Sequence, residues 1–377
     1  MKRILFFTIA NFIFIPLFGQ ERAASFTEDF IRMNDEKVTV EVNEVQELVH
    51  VLMAITDIGL QDSNMINHNS EYYDSVIKHF GPFREHPAVR IADSLLNGSI
   101  LYYIFLSSNA NGFTFNGNKL IRTNVYTFPA KGVGTVEINE DPILKYQNQL
   151  EDFAMATDFR GFYVQNKPFY DKIKRDYEKY GEIEKQKEWL ERKFDYKINS
   201  YRVLTSPLIG GIHATTTFED NNFKEMLLYL PMIRNDKELT NALNIAMNSR
   251  VIFTEIDHNY VGPVSDKYRN TIDTVFNNRD LWVNSANRST AHYLNPVKVF
   301  DEYMTWGLFI LYASDTYVNA QKNLQYIVDH INNKMRAKGF PQSEAFNKEL
   351  YRLYNENPKN KIETIYKDIL DWSSTHH

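Results

Sequence analysis

Glu255 and His258 carry the most specific chemistry that can be read along this chain. They stand three apart in Val251-Ile252-Phe253-Thr254-Glu255-Ile256-Asp257-His258-Asn259-Tyr260-Val261, so on a helix both project from one side. A zinc protease helix reads H-E-x-x-H because imidazoles at i and i+4 share a face and bind the metal, while the Glu between them activates the water. Here the frame is T-E-x-x-H, with Thr254 where the first His belongs. A bare E-x-x-H arises by chance about once in a chain of this length, and alone it reads as a surface Glu and His on an ordinary helix. Glu302 alters that balance. It lies on a second apolar helix among Phe300, Tyr303, Met304 and Trp306, from which a further carboxylate ligand can be delivered to the first. Acids also suit a helix N-terminus, as Asp301 does beside it. In such surroundings, however, the carboxylate needs either a cation or a hydrogen-bond network.

The remaining histidines say less. His213 follows Gly210-Gly211 in a strand, where a substrate-side role competes with that of a half-exposed strand residue. His292 precedes a helix in a loop and reads first as solvated. His50, His68, His79, His86 and His330 have no partners at ligand spacing. No G-x-S-x-G elbow, P-loop or dinucleotide fingerprint is present, so serine nucleophiles and nucleotides are unsupported.

The elements that must position these groups follow from periodicity. Val38 to Val42 alternates like a strand, and Asn43 opens an amphipathic helix through Leu48, Val49, Leu52, Met53 and Ile55. Helical spacing continues from Tyr72 to Leu106, broken at Gly81-Pro82 and His86-Pro87, and Asn109 to Gly117 reads as a turn region before short strand-like pieces. Tyr146 to Phe194 is helical again. Tyr201 to Leu204, Ile212 to Phe218 and Met226 to Leu230 suggest a small sheet, whose Gly pair lets a backbone or a ligand come close. Asn235 to Glu238 resembles a capping box for a helix expected to stop at Gly262-Pro263. Asn295-Pro296 starts another, whose apolar stretch Tyr303 to Tyr312 implies burial. The expected fold is α+β and predominantly helical, with a mainly helical lobe over 21–199 and a region with the small sheet and helices over 200–377.

Composition sets the outer limits. With 43% hydrophobic and 24% charged residues in 377, the chain is globular and long enough for a real core. A net charge of −6 without a basic stripe argues against nucleic acid as a partner. Residues 1–20 have a basic start, an apolar run from Ile4 to Phe18 and then Gly19-Gln20, the build of a secretory signal peptide. The run is shorter than the roughly 20 residues that span a bilayer, so export to the periplasm or beyond is expected, with no membrane span in the mature chain. With no Cys, disulfide scaffolds, thiol enzymes, lipoprotein acylation and cysteine-based zinc sites are all closed.

Over most of the mature chain the sequence resembles the gluzincin-like secreted bacterial proteins classed as a domain of unknown function, related to zinc metallopeptidases of the thermolysin type. The resemblance rests on Asp152-Phe153, Phe159-Arg160-Gly161-Phe162-Tyr163, Pro168-Phe169-Tyr170, Ser206 to Gly211, Phe253 to Pro263 and Asp301-Glu302-Tyr303. It implies a helical lobe, a small sheet with an edge strand for substrate, and a site in which Glu255 is the general base and His258 and Glu302 are metal ligands. Three functions follow. A zinc hydrolase of peptide bonds would take a further donor such as His213 or His292 and leave Thr254 outside the ligand set. In a metal-binding non-protease Glu255, His258 and Glu302 would all coordinate. A catalytically inactive module would bind peptide or glycan through strand edges and exposed tyrosines.

Overall fold

The computed structural model describes residues 24–133, 136–317 and 321–376, apart from the side chains of Arg288, His292 and Gln321. The expected signal segment, 1–20, lies outside the described residues. The fold is α+β and predominantly helical, with seventeen α-helices and one four-stranded sheet among the described residues. No helix among them is long and apolar enough to cross a membrane.

The chain forms two compact units. The first holds the residues up to Tyr177 together with Ile198–Met232, and the second Glu178–Lys197 with Ile233 onward. This division differs from a break at residue 200, and backbone pairing is the reason. Strand β1 (Val38–Glu41) lies parallel to Ser200–Ser206, so the later strand joins the sheet its partner opened.

The first unit also carries two hairpins. Strands β2 (Phe113–Asn116) and β3 (Lys119–Arg122) pair antiparallel, as do β4 (Gly132–Val133) and β5 (Val136–Glu137). Phe113–Asn116 lies inside the stretch expected to be a turn. The main sheet has the order β1-β6-β8-β7, where β6 is Ser200–Ser206, β7 is Ala214–Asp220 and β8 is Phe223–Pro231. β6 and β8 are its central strands. Both are buried almost throughout, β8 with the apolar run Met226 to Leu230 and β6 around Tyr201, Val203 and Leu204, as central strands covered on both faces are. Gly210-Gly211 serves a backbone approach. Gly210 N–H donates to Met65 O and Gly211 N–H to Asn64 O, and a Cβ on Gly210 would fall 2.3 Å from Asn64 O. Asn43 caps helix Glu44–Ala54 by accepting from Val45 N–H and Gln46 N–H, so the chain turns from the end of β1 straight into that helix.

The second unit is helical. Helix Asn241–Lys267 packs on Pro296–Thr316 through Phe253, Phe309 and Tyr312, and Trp189 of helix Ile183–Lys193 closes against the same rings. Two boundaries differ from the sequence reading. Thr240, not Asn235, caps the long helix by accepting from Leu243 N–H, while Asp236 N–H donates to Asn244 Oδ1 as a preceding turn. The helix also runs past Pro263 to Lys267. Val264 and Ser265, the two residues that follow Pro263, are buried, and tertiary packing of this last turn offsets the roughly 3 kcal/mol that an interior Pro costs.

Candidate functional site

Glu255 and His258 sit on the buried face of helix Asn241–Lys267, and Glu302 lies in the second turn of helix Pro296–Thr316. The pairing of these helices brings His258 Nε2 to 4.0 Å from Glu302 Oε2, beyond hydrogen-bond length. The whole cluster is shut off from solvent. His258 is 8% exposed, Glu255 3% and Glu302 2%.

The cation beside Glu302 is a lysine. Helix Gln321–Lys338 ends on Lys338, because Gly339 adopts φ +100° and Phe340 N–H turns back to Met335 O. Lys338 Nζ then donates to Glu302 Oε1 at 2.6 Å, and Trp306 Nε1–H, one turn beyond Glu302, donates to the same oxygen at 2.8 Å. The ammonium lies 5.1 Å from the Tyr293 ring centroid and 5.7 Å from that of Trp306. Both answers foreseen for a buried carboxylate, a cation and a hydrogen-bond network, are thus present at once.

Electrostatics separates the acids. Burial alone would raise the Glu302 carboxyl, but the Lys338 charge and the hydrogen bonds hold it below its ordinary value. Burial and the nearby Glu302 charge push Glu255 up to about 8, so at neutral pH it carries its proton. Asp257, fully buried on the same helix, is raised well above its ordinary value by burial and then by Glu255 and Glu302. Burial lowers His258 to about 4, which keeps the imidazole neutral. Arg250 stacks 5.0 Å from the Trp306 centroid, its guanidinium lowered to about 10 by burial.

Three of the residues singled out from sequence are therefore neighbours, and others are placed elsewhere. Thr254 lies one turn before His258, and its hydroxyl donates to Arg250 O and Val251 O of its own helix. His213 is buried just before β7 in the first unit, and the side chain of His292 lies outside the described residues. No group of three or more His, Cys, Asp or Glu side chains among the described residues is arranged to hold a metal ion. With Lys338 and Trp306 on its Oε1, and with Thr254 in place of an imidazole, the donor set fits an ammonium better than a zinc ion.

Lys338 and Arg250 were not legible as site residues. A Lys followed by Gly at a helix end reads as an ordinary complement to the helix dipole. Trp306 had a signal, since its spacing of four from Glu302 puts both on one face. No family model, curated protein or solved structure matches the chain.

Proposed function

We propose that the chain is an exported, metallopeptidase-like protein that does not hydrolyse peptide bonds and acts as a peptide- or glycan-binding module on a gluzincin-like fold. One observation carries this reading: Lys338 Nζ stands 2.6 Å from Glu302 Oε1, so the carboxylate that would hold a metal is neutralised by the chain's own cation. Two others support it. Glu255, raised to about 8, is a proton donor at neutral pH rather than the base that a hydrolase needs. Thr254 spends its hydroxyl on helix carbonyls and supplies no second imidazole.

The competing reading, a zinc hydrolase using His258, Glu302 and Glu255, draws its support from the 4.0 Å approach of His258 to Glu302. It requires Lys338 to leave. Elemental analysis after brief dialysis without chelator decides between the two. The module reading expects no stoichiometric zinc, no cleavage of a fluorogenic peptide library, and hits on a peptide or glycan array. Near-stoichiometric zinc, with cleavage abolished and metal retained in Glu255→Gln, would overturn it. A Thr254→His/Lys338→Met double variant is expected to gain zinc affinity in competition with a chromophoric chelator, because it adds an imidazole and removes the resident cation.

A further inference from the structure

Among the buried carboxyls of the first unit Glu47 stands out, because no cation among the described residues is paired with it. Glu47 lies in the first turns of helix Glu44–Ala54, with Gln46 beside it and His50 one turn on, and each of the three is 1% exposed. Tyr72 O–H donates to Glu47 Oε1 at 2.7 Å, and the Tyr72 and Tyr170 hydroxyls stand 2.7 Å apart. Among the described residues Glu47 Oε2 has no partner at good hydrogen-bond geometry, although the Ser206 hydroxyl lies close enough to lower the carboxyl, and Gln46 Oε1 and Nε2, His50 Nδ1 and the Tyr103 hydroxyl have none. Buried polar atoms are almost always paired, so five orphans on four adjoining residues mark a place built for something else. It lies beyond the carboxyl ends of the parallel strands β1 and β6: helix Glu44–Ala54 follows β1 directly, and Ser206, the last residue of β6, is beside Glu47. Crevices outside the carboxyl ends of parallel strands are where α/β sheets bind ligands.

The hydrogen bonds fix what these atoms can take. Ser107 Oγ–H donates to Tyr103 O at 2.7 Å, so in its 3.0 Å contact with His50 Nε2 the ring nitrogen is the donor. Burial keeps the His50 ring neutral, which leaves Nδ1 a bare acceptor. Glu47 Oε2, Gln46 Oε1 and His50 Nδ1 are thus three acceptors at positions i+1, i and i+4 of one helix. An ammonium group has three N–H donors and a positive charge. The groups that act electrostatically on this carboxyl are the hydroxyls of Ser206 and Tyr72, with Tyr103, Tyr163 and Tyr170 around it, and no cation is among them. Tyrosine rings near a carboxylate are also the setting in which organic cations bind.

We propose that Gln46, Glu47 and His50 form a site in the first unit for the primary ammonium group of a ligand, such as a lysine side chain or an amino terminus. The site is independent of the Glu302 cluster and of the reading given to it. Because its acceptors are closed to solvent, entry follows local opening and association is slow.

The test uses n-butylammonium as probe on the full chain, with n-butanol and magnesium at matched ionic strength as controls. At pH 8 the amine is expected to raise the thermal unfolding midpoint by about 2–4 °C, and at pH 5.5, where Glu47 keeps its proton, to leave it unchanged. Glu47→Gln, which copies the protonated acid in shape, is expected to fold and to lose the shift. His50→Phe, which keeps a flat ring but removes Nδ1, is expected to weaken butylammonium binding at least tenfold. Equal shifts from amine and alcohol, an equal shift from magnesium, a shift that survives in Glu47→Gln, or no shift at either pH would each overturn the proposal.

Discussion

Glu302 and Glu47 are both carboxyls almost wholly removed from water, and their surroundings move them in opposite directions from the ordinary value. Glu302 meets the Lys338 ammonium and the Trp306 indole on one oxygen and is held below its ordinary value, whereas burial raises Glu47, which has only hydroxyl partners, to about 7. Glu44, one turn before Glu47, shows the third outcome: it reaches the surface and takes Arg160 Nε at 2.8 Å. Burial by itself therefore says little about what an acid does. The decisive matter is whether a cation is brought to it, because an unpaired buried charge costs several kcal/mol while a protonated acid costs a hydrogen bond at most.

The largest expected effect comes from breaking the self-neutralised site. Lys338→Met leaves Glu302 buried beside a thioether and is expected to cost about 3–5 kcal/mol in chemical denaturation at pH 7. Adding Glu302→Gln should recover most of that loss, since the pair then disappears together. A double variant no more stable than Lys338→Met alone would show that the lysine acts through packing rather than charge.

Next comes the dependence on pH. Glu47 and Asp301, raised to about 7, and Glu255, raised to about 8, bind protons more tightly when folded, so they remove stability as pH rises from their ordinary values toward those folded ones. His50, lowered to about 3, and His258 and His330, lowered to about 4, bind protons less tightly when folded, and they add stability as pH rises toward 6.5. The two sets oppose each other between about pH 4.5 and 6.5. With Asp257, also raised, added to the acids, stability is expected to decline gently there, to fall further from pH 6.5 to 8, and to fall below pH 4, as urea midpoints across that range will show. A maximum above pH 8 would contradict the assignment of these acids.

Glu47→Gln isolates one share of that alkaline limb. It is expected to be near neutral at pH 5 and stabilising relative to wild type at pH 8.5 by about 3 kcal/mol, the equivalent of the raised pKa. The smallest effect is the control. Asp29→Asn breaks the exposed pair with Arg32, 2.6 Å in length, and is expected to change stability by less than about 0.5 kcal/mol at any pH. A larger change would mean that exposure does not separate the ion pairs of this chain as it separates Glu302 from Asp29.

Much of the local structure was written in short stretches of residues. Asn43 announced its helix because its side chain can serve N–H groups only two and three residues away, and Asn295-Pro296 did the same for the helix that carries Glu302. The apolar run Tyr303 to Tyr312 foretold burial, and the spacing of Glu255 and His258 placed both on one helical face. The extension of a helix past Pro263 was not legible, since propensity there yields to the burial of Val264 and Ser265.

What the sequence by itself determined, then, was the α+β, mainly helical class, the strands of the main sheet, the helices that carry Glu47, Glu255 and Glu302, and the need of Glu302 for a partner, while the helices Gln321–Lys338, Ser343–Glu356 and Tyr366–Thr375 were not read from it. Only the tertiary structure decided that the partner is Lys338, that β1 pairs with β6 and so draws Ser200–Pro231 into the first unit, and that Glu47 has tyrosines where Glu302 has an ammonium. The physical reason is range. Caps and helical periodicity depend on atoms a few residues apart, whereas the charge state of a buried acid depends on which distant side chain the packing delivers to it.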